Sequence, residues 1–136
     1  MLFRSADLLK KISEERIHDE FVKIIMSKNP GGGMVMLQKF GLLKNIIPEL
    51  EEGIGCEQLG EHIYDVWNHL LHAVQHAADK NFSLEVRLSA LFHDIGKPRS
   101  RRLAEPKGTK KKYTFYGHEV IGARMTKKNN GEIEIS

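Results

Sequence analysis

The stretch Leu84-Glu85-Val86-Arg87-Leu88-Ser89-Ala90-Leu91-Phe92-His93-Asp94-Ile95-Gly96-Lys97-Pro98 decides how this chain is read. Leu84, Leu88, Leu91, Phe92 and Ile95 recur at helical spacing and define one apolar face. Ser83 is placed to cap the helix, and Gly96 and Pro98 stop it, so the expected helix runs from Leu84 to Ile95. At its end stand two adjacent polar residues, His93 and Asp94. A carboxylate held beside so much apolar surface needs a partner, because burying it unpaired is expensive. A divalent cation would satisfy both side chains, since imidazole suits Mn, Fe, Co, Ni or Zn and the carboxylate adds a hard, negative oxygen. An HD dipeptide alone is a weak signal. A histidine on the preceding helix makes it stronger.

That preceding helix is expected over Tyr64 to Lys80. At about 100° per residue, with His69 as zero, His76, Asp65, His72 and Asp79 fall at roughly −20° to −80°. Val66, Ala77, Leu70, Val74 and Trp67 fall at roughly +60° to +160°. His69 therefore sits on the seam between the wet and the buried face, where it can reach a pocket at the core's edge. His72 and His76 read as members of a solvated stripe.

Helical period continues on both sides, with no sustained period-2 alternation and no internal repeat. Upstream, Leu8, Leu9, Ile12, Ile17, Phe21, Ile24 and Ile25 mark a helical segment from Ser5 to Ser27. Ser13-Glu14-Glu15 has the form of an N-cap that splits it into a short and a longer helix. Asn29-Pro30-Gly31-Gly32-Gly33 reads as a plain turn; a phosphate cradle would need a preceding strand and a GK[ST] ending. A short helix from Met34 to Phe40 closes at Gly41, an apolar turn with Pro48 follows over Leu42 to Leu50, and Gly53-Ile54-Gly55-Cys56 is a boundary loop. Downstream, Lys97 to Lys112 reads as a surface loop. A last helix is expected from Tyr116 to Lys128, broken by Asn129-Asn130-Gly131, with the final five residues frayed.

The 136 residues, 40% apolar and 29% charged, suffice for a packed core. No apolar run approaches the ~18 residues of a membrane span, and the start has no secretory signal, so no membrane partner is expected. Cys56 is the single cysteine, which suits a reducing cytoplasm. Charge is concentrated: eight Lys/Arg against Glu105 alone from Lys97 to Lys112 give a local +7, in a chain whose net charge is +3. Arg99, Arg101 and Arg102 in this segment are candidate RNA or phosphate contacts. Tyr113, Phe115 and Tyr116 beside it are either base-stacking groups or core.

The string HDIGK (93–97) resembles the HD superfamily of metal-dependent phosphohydrolases, whose pattern is H…HD…D on an all-helical domain. More widely, YDVWNHLLHAV (64–74), LEVRLSALFHDIGKP (84–98) and TFYGHEVIGA (114–123) resemble the HD domain of the bacterial tRNA nucleotidyltransferase (CCA-adding enzyme) and poly(A) polymerase family. The stretch from Leu8 to Leu50 resembles the helical neck before that domain. The resemblance implies an all-α fold: a neck-like segment over 1–55 and an HD-type helical bundle over 56–136. It implies that His69, His93 and Asp94 are metal ligands for a divalent cation (Mn, Co, Ni, Mg, Fe or Zn). Lys97 would be a phosphate or supporting contact, and His118 a further ligand or substrate group, making Asp94, Lys97 and His118 the catalytic candidates.

The family's nucleotide-transferring head is expected before this chain, so the chain by itself should add no nucleotides. The closing aspartate of the pattern has no clear counterpart after Met125, so the HD domain reads as truncated at its C-terminal end. Two functional readings remain: a phosphohydrolase of nucleotide or RNA phosphoesters, weak or incomplete in this chain, or a tRNA-binding neck/HD fragment with no activity of its own. A folded remnant with neither role is the third.

Overall fold

The computed structural model describes residues 2–58, 64–104, 112–115 and 117–132, with side chains described over 13–58, 64–101, 115 and 117–126. Eight helices and one strand pair lie among them: α1 (Leu2–Ile25), α2 (Pro30–Lys39), α3 (Leu43–Ile46), α4 (Pro48–Glu51), α5 (Val66–Asp79), α6 (Leu84–Phe92), α7 (Lys97–Ser100), β1 (Arg102–Ala104), β2 (Lys112–Thr114) and α8 (His118–Glu132). The fold is all-α, an HD-domain helical bundle preceded by a helical neck, with one small antiparallel hairpin. No helix among the described residues is long and apolar enough to cross a membrane.

The amphipathic pattern accounts for the core. Val66, Leu70 and Val74 of α5 and Leu88, Leu91 and Ile95 around α6 are buried, as are Phe21 and Ile25 of α1 and Met34 of α2. With Leu43, Ile47 and Leu50 they form one cluster, so packing runs without a break from the neck into the bundle. Leu84 only borders it.

Several local expectations give way. The first helix is continuous through Ser13, whose Ser-Glu-Glu run therefore caps nothing; Leu8, Leu9 and Ile12 have side chains outside the described set. Gly31, Gly32 and Gly33 are not a turn but lie in the first turn of α2. Pro30 begins that helix without needing a donor, and the Asn29 side chain accepts from Gly32 N–H at 3.0 Å. A Cβ on Gly33 would lie 2.4 Å from Ile24 Cγ2, so the glycine lets α2 lie close against α1. The long helix begins at Val66 because Asp65 caps it, accepting from Asn68 N–H at 2.7 Å and Gly55 N–H at 2.8 Å. Asp65 thus leaves the solvated stripe.

The segment read as a loop from Lys97 to Lys112 contains one helical turn and β1, and β2 begins at its last residue. Arg102 pairs with Thr114, Leu103 with Tyr113 and Ala104 with Lys112. Three-residue strands are too short to show alternation in a sequence. The last helix also passes through Asn129-Asn130-Gly131 to Glu132, since a glycine costs a helix only about 1 kcal/mol. Residues 133–136 lie outside the described set.

A buried arginine joins neck and bundle. Arg87 of α6 donates from Nη1 to Ile25 O at 3.0 Å and Ser27 O at 2.9 Å, and from Nε to Phe82 O at 2.8 Å. Its guanidinium supplies the donors that the C-terminal carbonyls of α1 lack within the helix. Arg87→Met should leave these carbonyls poorly satisfied and cost about 2–4 kcal/mol. Urea unfolding checks this, and an unchanged midpoint would contradict the assigned role.

Candidate metal centre

α5 and α6 are antiparallel neighbours in the core, which brings the seam of α5 to the end of α6. There His69 Nε2, His93 Nε2 and Asp94 Oδ2 form a near-equilateral triangle: 3.1 Å between the two nitrogens and 3.1 Å from each to the oxygen. These three side chains are a group able to hold a metal ion. The triangle's size is compatible with one shared cation. With bonds of about 2.1 Å, neighbouring ligands of one cation stand about 3.0 Å apart in an octahedron and about 3.4 Å in a tetrahedron.

Proton placement points the same way. His93 Nδ1 lies 2.6 Å from Ala90 O, and His118 Nδ1 lies 2.9 Å from Phe115 O. A carbonyl only accepts, so each Nδ1 carries hydrogen; Nε2 then donates to the carboxylate when the ring is protonated and offers a lone pair to a cation when it is neutral. That nitrogen of His93 faces Asp94 Oδ2 and His69 Nε2. Two such acceptors sit this close only with a proton or a cation between them. A ring N–H given to a backbone carbonyl is also how metal-bound histidines are held in orientation.

The carboxylate is enclosed while the imidazoles are open: the Asp94 side chain is 10% exposed, those of His69 and His93 33% and 42%. Lys97 Nζ reaches Asp94 Oδ2 at 3.2 Å and Gln58 Oε1 at 2.7 Å, and lies 5.3 Å from the centroid of the Phe115 ring. His118 Nε2 approaches the other oxygen, Oδ1, at 3.4 Å. Burial pushes the Asp94 carboxyl upward, but the His93 hydrogen bond and charge and the Lys97 charge outweigh it and hold it well below the usual carboxylate range. His93 is raised, chiefly by its hydrogen bond to Asp94. Burial lowers His69 despite the attraction of Asp94, which keeps its nitrogen available as a lone pair.

The glycine of HDIG has a steric task. A Cβ on Gly96 would lie 2.2 Å from His118 O and 2.5 Å from Gly122 N. Only a bare α-carbon lets the first turn of α8 come close enough to hold His118 over Asp94.

The remaining candidates separate. Lys97 is buried in the site. Arg99 makes a bidentate pair with Glu52, both bonds 2.9 Å, and Arg101 Nη1 donates to Glu57 O at 3.3 Å. The side chains of Arg102 and Tyr113, and residue Tyr116, lie outside the described set, as do Lys107, Lys110 and Lys111. Phe115 covers Lys97 and is only partly buried. His72 and His76 are exposed and stand outside the triangle. Gln58 escapes a sequence reading: it is buried, holds Lys97 and donates to Tyr64 O at 3.2 Å, yet nothing in its neighbours' spacing marks it.

Comparison with known proteins agrees with this architecture. The HD domain family model matches residues 59–136, more than half of the chain. The chain belongs to the HD-domain family. A second model, described as the probable RNA and SrmB-binding site of polymerase A, matches residues 2–54. The chain is 36% identical over 117 residues to a CC-adding tRNA nucleotidyltransferase of Thermus thermophilus, covering 85% of this chain and 26% of that protein. An A-adding tRNA nucleotidyltransferase of Deinococcus radiodurans is 35% identical over 114 residues, with 82% and 26% covered. A multifunctional CCA protein of Neisseria meningitidis is 32% identical over 118 residues, with 85% and 27% covered. The HD-family chain thus spans about a quarter of the length of these relatives. No solved structure gives a significant match.

Gly96→Ala should cost about 1–3 kcal/mol, because the α8 backbone has to recede from a methyl group it cannot accommodate. The midpoint of thermal unfolding should fall by several degrees. An unchanged midpoint would refute the close approach.

Proposed function

We propose that this chain is a divalent-metal-dependent phosphohydrolase of HD type, acting on a phosphoester of a nucleotide or of RNA. The observation that carries the proposal is the triangle of His69 Nε2, His93 Nε2 and Asp94 Oδ2 with 3.1 Å sides. Those three atoms would hold the cation, one of Mn, Co, Ni, Mg, Fe or Zn. When bound, it supplies Lewis acidity toward a phosphoryl oxygen and activates water for attack.

The chain's own residues set the electrostatics. Asp94 and Lys97 cancel in charge, and the two imidazoles are neutral ligands, so the protein frame is close to neutral. A dication therefore leaves the site net positive, which favours an anionic phosphoester. Lys97 has its ammonium occupied by Asp94 and Gln58 beneath Phe115, and so orients the carboxylate from behind rather than reaching into solvent for phosphate. His118 keeps Nδ1 on Phe115 O and turns Nε2 toward Asp94 Oδ1 at 3.4 Å, so Nε2 is the position through which it would pass a proton beside the carboxylate.

A second reading rests on a separate observation, the RNA-binding description of the model matched by residues 2–54. In it the chain is a tRNA-contacting neck and HD piece whose site binds metal without turnover. Relatives named as tRNA nucleotidyltransferases support tRNA as the partner. A cytoplasmic location accords with either reading, since Cys56 is a free, buried thiol.

Elemental analysis of Asp94→Ala and of the shape-conserving Asp94→Asn should show the cation lost, while His72→Ala and His76→Ala retain it. Equal metal in wild type and both Asp94 variants would overturn the site. Hydrolysis of a generic phosphodiester with added Mn, Co, Ni or Mg separates the readings: turnover that disappears in Asp94→Asn supports the hydrolase, and retained metal without turnover selects the tRNA-contacting piece.

A further inference from the structure

Beside the triangle lies an aromatic pair that the chemistry above does not use. The rings of Tyr64 and His72 stack with centroids 4.2 Å apart and planes inclined by 23°. Such pairs usually earn their place in a core. This one is at the surface: Tyr64 is 40% exposed and His72 is exposed as well. His72 stands one helical turn after His69 on α5, so its ring belongs to the same wet flank, with neighbouring Cβ atoms about 5–6 Å apart. The two imidazoles of the triangle are open toward solvent, whereas its carboxylate is enclosed by Lys97 and His118. Entry to the triangle is therefore from the imidazole side, and the stacked pair flanks that entry.

We propose that the Tyr64–His72 pair is a nucleobase platform: the base of the nucleotide that carries the phosphoester stacks there while its phosphate meets the triangle. The spacing suits it, because about one turn of helix separates the two places and a sugar bridges base and phosphate. The chemistry suits it too. Stacking on an aromatic face is tolerant of base identity, so the pair would select nucleotides over other phosphoesters without reading sequence. Tyr64 is held for this by its own backbone, whose carbonyl accepts from buried Gln58, and His72 is held by α5. The inference deepens the phosphoester reading and rests on it.

The test is titration of the zinc-loaded chain with AMP and, in parallel, with ribose 5-phosphate, followed by the NMR signals of the His72 ring protons and by the two affinities. Wild type should bind AMP more tightly than ribose 5-phosphate, with ring-current shifts at His72 from AMP alone. Tyr64→Ala should weaken AMP about tenfold or more and leave ribose 5-phosphate unchanged, and Tyr64→Phe should restore AMP binding. Equal affinities for the two ligands in wild type, or equal losses for both in Tyr64→Ala, would overturn the platform. Zinc content measured on the same samples keeps the two claims apart: zinc retained with no preference for AMP sinks the platform alone, whereas zinc absent from wild type sinks the metal site beneath it.

Discussion

One enclosed carboxylate organises this molecule. Asp94 is placed by an apolar helix end at a point where water cannot solvate it fully, and the effective penalty for such an ion is several kcal/mol. The structure answers with Lys97, His69 and His93 on one oxygen and His118 on the other. Lys97 alone balances the charge. The imidazoles are then surplus to neutralisation, and their spacing of 3.1 Å fits the ligand set of the proposed cation.

The surrounding fold serves that point. Arg87 closes the end of α1 onto α6, so the neck shares the core that fixes α5 against α6. Gly96 admits α8, which delivers His118. Gln58 bridges the start of α5 to Lys97 from the segment between neck and bundle. Each contact links elements distant in sequence, which is why the site is built from α5, the turn after α6, and α8 at once.

How much was legible follows from the range of each interaction. The long helices and their buried faces were readable because period and apolar content are local. So was the partnership of His69 with His93 and Asp94, through the likeness to the HD pattern, with a seam position on one helix and a helix end on the next in keeping with it. The hairpin was not, because its two strands are three residues each, too short to show alternation. The Gly31-Gly32-Gly33 run misled because its helical use depends on Ile24 lying against Gly33, a tertiary fact. The basic segment misled in another way: summed charge says nothing of pairing, and Arg99 turns out to clasp Glu52 while Lys97 is buried. Arg87 and Gln58 look like ordinary polar residues until their partners, 62 and 39 residues away, are seen.

A cation at the triangle is what the proposed chemistry depends on most. The most direct measurement is anomalous diffraction above the manganese edge from crystals of the chain grown with manganese. One strong peak is expected within about 2.0–2.3 Å of His69 Nε2, His93 Nε2 and the near oxygen of Asp94. A peak elsewhere, or none at the triangle with manganese in excess, would contradict the proposed site.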